Sequence, residues 1–179
     1  MRRIIIIGYM GAGKTTVARA LARDLGLDFY DLDHYIENRM HCTIKDIFDR
    51  KGEEGFRLVE RMMLHEVAEF EDVVISSGGG TPCFFDNMDY MCRQADTVYL
   101  RATPEVLHAH LKMGHTVRPL LLGKTDEEVK AFVAEHLRQR EPVYSQARHT
   151  VDVCVLDTRA KISNTVACIE KMLGMEKAQ

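Results

Sequence analysis

Three groups of residues in this chain have the types and spacing that chemistry on a phosphate requires. The first is Gly8-Tyr9-Met10-Gly11-Ala12-Gly13-Lys14-Thr15, which fits the pattern G-x-x-x-x-G-K-[ST]. Glycines let successive backbone N–H groups turn inward and form a concave anion nest, and a helix that starts there adds its partial positive charge. Gly11, Ala12, Gly13, Lys14, Thr15 and Thr16 would line such a nest. Lys14 would reach the outer phosphates, and the Thr15 hydroxyl is a hard oxygen ligand of the kind Mg²⁺ takes. The expected ligand is a nucleoside triphosphate.

The second group is acidic and glycine-rich. Asp31 and Asp33 stand two apart just past a short strand, so one can face a metal while the other faces a different pocket wall. A plainer role for Asp33 is to cap the next helix. Gly78-Gly79-Gly80 offers bare backbone N–H groups at close approach, although such a run also makes a flexible turn. The third group is cationic. The planar forks of Arg57 and Arg140 suit a carboxylate bidentately, yet each taken alone reads more readily as a surface ion pair. Arg118 lies in residues 114–123, where the helical pattern breaks. We read that stretch as a mobile lid, on which an arginine can neutralise charge on a transferred phosphoryl group.

Strands and helices alternate along the chain, which points to an α/β layer structure with a mainly parallel sheet. Strands are expected over 2–7, 28–31, 73–76, 97–100 and 151–156. Helices are expected to follow the glycine-rich loop and to cover 36–40, 44–48, 53–70, 126–140 and 161–173. Thr43 is the expected cap of the 44–48 helix, and Thr103-Pro104-Glu105 opens another with Pro at its first position. In such a sheet ligands bind at the carboxyl ends of the strands. That rule gathers the phosphate loop, Asp31/Asp33 and Gly78–Gly80 at one edge.

The 179 residues suit a single domain (1–179) with a continuous core, and 46% hydrophobic and 28% charged residues are ordinary for a soluble protein. A net charge of −3 offers no basic excess for nucleic acid or a membrane surface, so a few placed arginines must hold any anionic ligand. No run is long enough to span a membrane, and the first strand takes up the N-terminus where a signal peptide would lie. The five cysteines form no C-x-x-C pair, which points to a reducing, cytoplasmic setting. Cys154 and Cys168 read as packing residues. His108 and His110, two apart on a helix, face different directions, cannot share a metal, and read as surface or half-buried side chains. The chain is expected to be monomeric, and residues 174–179 to form a disordered tail.

Taken together, the phosphate loop through Thr16, Asp31-Leu32-Asp33, Gly52-Glu53 with Phe56-Arg57, Ser77-Gly78-Gly79-Gly80, Arg118-Pro119-Leu120-Leu121, and Arg140 with Tyr144 resemble the shikimate kinase family. The motifs occur in family order across residues 4 to 157. The resemblance implies a three-layer P-loop kinase fold with a five-stranded parallel sheet, helices on both faces and a mobile lid. It implies transfer of phosphate from ATP, with Mg²⁺, to the 3-hydroxyl of shikimate. By motif, Asp33 holds the substrate hydroxyls and accepts a proton, while Arg57, Arg140, Gly79 and Gly80 hold the acid and its ring. Lys14 and Arg118 serve the phosphates, Thr15 ligates the metal, and Asp31 supports it through water.

One segment departs from the family pattern. Thr81-Pro82-Cys83-Phe84-Phe85 is bulkier than the small residues usual after the glycines, so this loop is expected to run differently. Other small-molecule kinases on the same scaffold, acting on gluconate or nucleoside monophosphates, are the nearest alternative. A GTP-binding switch is disfavoured, because Asp49–Gly52 does not follow a buried strand and Gly123–Asp126 matches the guanine-reading motif only in part.

Overall fold

The computed structural model describes residues 2–114 and 121–175. Arg118 and most of the expected lid lie outside the described residues. The elements run β1 (Arg3–Ile7), α1 (Lys14–Leu25), β2 (Asp28–Asp31), α2 (Leu32–Met40), α3 (Ile44–Val67), β3 (Val73–Ser76), α4 (Asn87–Gln94), β4 (Asp96–Arg101), α5 (Pro104–Met113), α6 (Asp126–Tyr144), β5 (His149–Asp152) and α7 (Arg159–Met172).

The five strands form one sheet in the order β2-β3-β1-β4-β5, and every neighbouring pair is parallel. Ile4, Ile5, Ile6 and Ile7 are all fully buried, so both faces of β1 are covered, as a central parallel strand requires. The apolar stripe Val17, Ala18, Leu21 and Ala22 seats α1, which packs against β3 and α7. Because β1 lies between β3 and β4, the connections diverge at its carboxyl end, which opens the crevice where α/β sheets bind ligands. The glycine-rich loop fills that position. No helix among the described residues is long and apolar enough to cross a membrane.

Several sequence expectations change in detail. The helices expected over 44–48 and 53–70 meet at a kink inside α3: Gly52, with φ of 69° and ψ of −175°, is not helical and divides it in two. Thr43 caps it in a reciprocal capping box with Asp46. The last strand ends at Asp152 rather than 156, and the chain from Val153 leaves the sheet. Cys154 and Cys168 are exposed and are not packing residues. Helix α4, which buries Met88 and Met91, and the 3-10 turn Thr81–Cys83 before it were not expected from the sequence. Among the described tail residues, the Met175 N–H donates to Glu170 O at 2.8 Å and its side chain packs on the core.

Candidate active site

The loop between β1 and α1 takes its shape from its glycines. Gly8, Gly11 and Gly13 have φ of 147°, 83° and 88°, values that side-chain-bearing residues rarely adopt. Gly13 is the N-cap of α1, so Lys14, Thr15 and Thr16 form its first turn, where amide groups lack intrahelical partners. The loop is closed by the Ala12 N–H, which donates to Tyr9 O at 3.1 Å, and Lys14 Nζ donates to the same carbonyl at 3.0 Å. A cavity of about 450 Å³ opens on this nest, lined by Gly11, Gly13, Lys14, Thr15 and Thr16 together with Asp31, Asp33 and Gly79.

Asp31 and Asp33 differ in what they touch. Asp31 caps α2 by accepting the His34 N–H at 3.3 Å through Oδ1, and its Oδ2 accepts the Thr15 hydroxyl at 2.7 Å. The helix cap is therefore Asp31, and Asp33 stands in the first turn of α2. A Cβ on Gly78 would lie 3.0 Å from Asp33 Oδ1, so this carboxylate borders the glycine run. A hydroxyl and two carboxylates thus face one cavity beside the nest.

The glycine run is a close-approach surface. A Cβ on Gly79 would meet Met10 N at 3.2 Å, and one on Gly80 would lie 2.9 Å from both terminal nitrogens of Arg57. None of these three glycines has a positive φ, so the space, rather than the backbone angle, selects glycine. Arg57 is fixed in turn by Glu60, which is 1% exposed: Arg57 Nη1 donates to Glu60 Oε2 at 2.8 Å, and the Thr81 hydroxyl donates to Oε1 at 2.6 Å. The guanidinium carbon sits 3.9 Å from the centre of the Phe84 ring, a cation–π contact. The bulk at residues 81–85 therefore has a physical account, since Phe84 packs on Arg57 and Thr81 holds the Glu60 that pairs with it.

Arg140 reaches the same wall from α6. The Tyr144 hydroxyl donates to Gly79 O at 2.6 Å. Burial, reinforced by Cys83, raises the pKa of that phenol well above its ordinary value, while Arg140 opposes the rise by charge and by hydrogen bonding. Burial also pushes up the Cys83 thiol, against the lowering effects of Arg140, Tyr144 and Arg57, so both guanidinium groups act on one point beside the glycines. Tyr9 in the nucleotide loop has its phenol pushed up to about 12 by burial, with Arg140 pulling the other way. Its hydroxyl pairs with His136 Nδ1 at 2.9 Å. Burial and then Arg140 hold the His136 imidazole below its ordinary pKa, which keeps the ring neutral.

The structure places Gly11, Gly13 to Thr16, Asp31, Asp33 and Gly79 on one cavity, and sets Arg57 against Gly80 with Arg140 acting on the same point beside the glycines. Arg118 falls outside the described residues. Sequence reasoning missed Glu60, Thr81, Phe84 and His136. Of these only Glu60 carried a legible signal, three residues after Arg57 and within the apolar stripe of Phe56, Val59 and Met63. His108 was expected at or near the surface but is 8% exposed, with Nε2 3.6 Å from Asp126 Oδ1. His110 does face another way, as their spacing required, toward Gly11 O.

A phosphate nest at the switch point, a Thr–Asp oxygen pair beside it, and a wall of two arginines and three glycines define a P-loop small-molecule kinase. Comparison with known proteins narrows the class. Residues 10–171 match the shikimate kinase family model. A shikimate kinase from Phocaeicola vulgatus is 52% identical over 174 residues, covering 97% of this chain and 99% of its own. The crystal structure of shikimate kinase from Bacteroides thetaiotaomicron superposes with a TM-score of 0.92 at 48% identity, covering 97% of this chain and 98% of the other. One from Acinetobacter baumannii, in complex with shikimate, does so at 0.82 with 31% identity, covering 99% and 96%. A gluconokinase from Sinorhizobium meliloti, at 18% identity and a TM-score of 0.56, covers 99% of this chain and 98% of its own and shares the fold alone. This chain belongs to the shikimate kinase family.

Proposed function

We propose that this chain transfers the terminal phosphoryl group of ATP to the 3-hydroxyl of shikimate, giving shikimate 3-phosphate on the route to chorismate and the aromatic amino acids. The observation that carries this reading is the contact between two unlike surfaces. The nucleotide nest and the glycine run meet at Gly79 and Met10, and Gly80 in turn abuts Arg57, so a phosphate donor and a small acid acceptor would lie side by side.

In this reading Gly11 to Thr16 hold the phosphates and Lys14 neutralises the charge spread over the transferred group, since phosphoryl transfer depends mainly on positioning and electrostatics. Arg57 and Arg140 grip the acceptor carboxylate, and the bare glycine backbone admits the ring. Asp33 orients the attacking hydroxyl and accepts its proton. Arg118 keeps the role the family resemblance gives it, at the phosphates.

The oxygens at the Thr15–Asp31 pair suit Mg²⁺. A hydroxyl and a carboxylate 2.7 Å apart are hard donors, and Mg²⁺ completes its shell with water and substrate phosphates rather than with a full protein cage. Thr15 would ligate it and Asp31 would support it through water; when bound it supplies charge neutralisation at the phosphate oxygens. We read the enzyme as a cytoplasmic monomer whose partners are ATP and shikimate, with no nucleic acid or membrane role at a net charge of −3. The test is a coupled assay with ATP and Mg²⁺ against shikimate, gluconate and nucleoside monophosphates. Turnover confined to shikimate is expected; preference for gluconate or a nucleotide would overturn the acceptor assignment.

A further inference from the structure

His110 stands outside every role assigned above, yet it lines the cavity on the nucleotide side with Met113, Gly114 and Leu156. Its Nδ1 is 2.6 Å from Gly11 O, and its Nε2 is 2.7 Å from the Leu156 backbone nitrogen. A carbonyl can only accept and an amide can only donate, so Nδ1 carries the proton and Nε2 presents its lone pair. Both bonds exist together only in the neutral Nδ1–H tautomer. Lysine and arginine, donors at every nitrogen, cannot replace it.

We propose that His110 is a positioning residue for the nucleotide, a latch that holds the phosphate nest open and ties it to the segment after β5. The proposal rests on the nucleotide reading of the glycine loop. Gly11 has φ of 83°, the left-handed conformation in which consecutive amides of a nest point inward while the carbonyls point away. Drawing the Gly11 carbonyl outward onto Nδ1–H holds that orientation before a phosphate arrives.

The second bond serves a stretch with little else to fix it. Past Val153, whose N–H donates to Arg101 O at 2.9 Å, residues 154–157 belong to neither sheet nor helix, and the Leu156 N–H finds its acceptor on His110. Leu156 is pressed onto the loop itself, since a Cβ on Gly13 would lie 2.5 Å from Leu156 Cδ1. The backbone carbonyl of His110 also takes the Gly114 N–H at 3.0 Å and so closes α5 where the chain leaves for the segment carrying Arg118. One residue thereby couples three segments that border the nucleotide half of the cavity.

The test compares His110→Ala, His110→Asn and His110→Gln with the wild-type enzyme, by steady-state kinetics in ATP and in shikimate, Mg-ADP calorimetry, and hydrogen exchange at Leu156. Asn places an amide N–H where Nδ1 stands, and Gln places an amide oxygen where Nε2 stands. Loss of both bonds in the Ala variant should raise KM for ATP and Kd for Mg-ADP about tenfold, leave KM for shikimate within about twofold, and release protection at Leu156. Asn and Gln should each recover part of the nucleotide affinity, and Gln alone the Leu156 protection. Unchanged nucleotide affinity in a folded Ala variant overturns the proposal, as does a loss falling equally on ATP and shikimate. If the Ala variant does not fold, the Asn and Gln variants decide by the same split between substrates. A wild-type chain that binds no Mg-ADP would instead sink the nucleotide reading beneath it.

Discussion

The two halves of the candidate site are built in opposite ways. The nucleotide half is nearly contiguous in sequence: Gly8 to Thr16 fold into a nest through their own positive φ angles and one helix start. The acceptor half draws on α2, α3, the loop after β3, and α6, with Asp33, Arg57, Gly78–Gly80 and Arg140 arriving from separate elements. The first half is therefore a local solution that many folds can host. The second exists only when the sheet and helices have closed, and each member leans on a neighbour, as Arg57 leans on buried Glu60 and on Phe84. Damage to the first half should stay confined to phosphate handling, whereas damage to the second at Arg57 should spread into stability.

The largest test of that contrast is Asp33→Asn, which keeps the side-chain size but removes charge and basicity. A fall in kcat of roughly 10²–10⁴ is expected, with folding intact, by steady-state assay and thermal melt. Lys14→Ala should lower kcat by roughly 10²–10³ without loss of fold, because the missing charge matters most in the transition state. A folded Lys14→Ala enzyme turning over within a few-fold of wild type would remove Lys14 from the phosphate role.

Arg57→Ala and Arg140→Ala should each cost about 2–5 kcal/mol of acceptor binding and spare ATP. They should differ in stability. Arg57→Ala strands the Glu60 carboxylate, 1% exposed, and should lower Tm, whereas Arg57→Ala with Glu60→Gln should regain Tm but not acceptor affinity. Equal melting of Arg57→Ala and wild type would show that the acceptor wall is not held together through this pair.

Gly80→Ala is a finer probe. Gly80 has φ of −88°, so alanine adds no backbone strain, but its Cβ would press on both terminal nitrogens of Arg57. KM for shikimate should rise several-fold while KM for ATP stays put.

The smallest effect concerns acid. The folded pKa of His136 is held below its ordinary 6.5 by burial and then by Arg140, so neutral His136 stabilises the fold above pH 6.5 and that contribution is lost as pH falls through the lowered value. The melting temperature of the wild-type enzyme should fall more than that of His136→Gln as the pH is taken from about 7.5 to 5. Parallel declines would detach the Tyr9–His136 contact from acid stability.

Legibility in the sequence follows the same divide. The strand–loop–helix of the nucleotide half, the alternating elements and the cap at Thr43 were readable, because each depends on residues a few positions apart whose backbone preferences are intrinsic. Arg57 and Arg140 were visible only as arginines in unusual surroundings, and it took the family resemblance to pair them. The break at Gly52 was readable, because a glycine between two helical patterns can take the φ of 69° and extended ψ that part them. The early end of β5 was not readable, for an apolar stretch continues past Asp152 but the neighbouring strand β4 ends at Arg101, the partner of Asp152.

What residue order settled is the chemistry on offer: a nest, hard oxygens, two arginine forks and a bare glycine run. Only the closed tertiary structure decided how those groups are held. Glu60 became the partner of Arg57, Phe84 its platform, and His110 the joint between Gly11 and Leu156. Those choices turn on which side chains meet after distant segments pack. Spacing along a chain encodes backbone geometry over a turn or two, whereas a buried carboxylate or a neutral imidazole acquires its partner from whatever the fold brings within 3 Å.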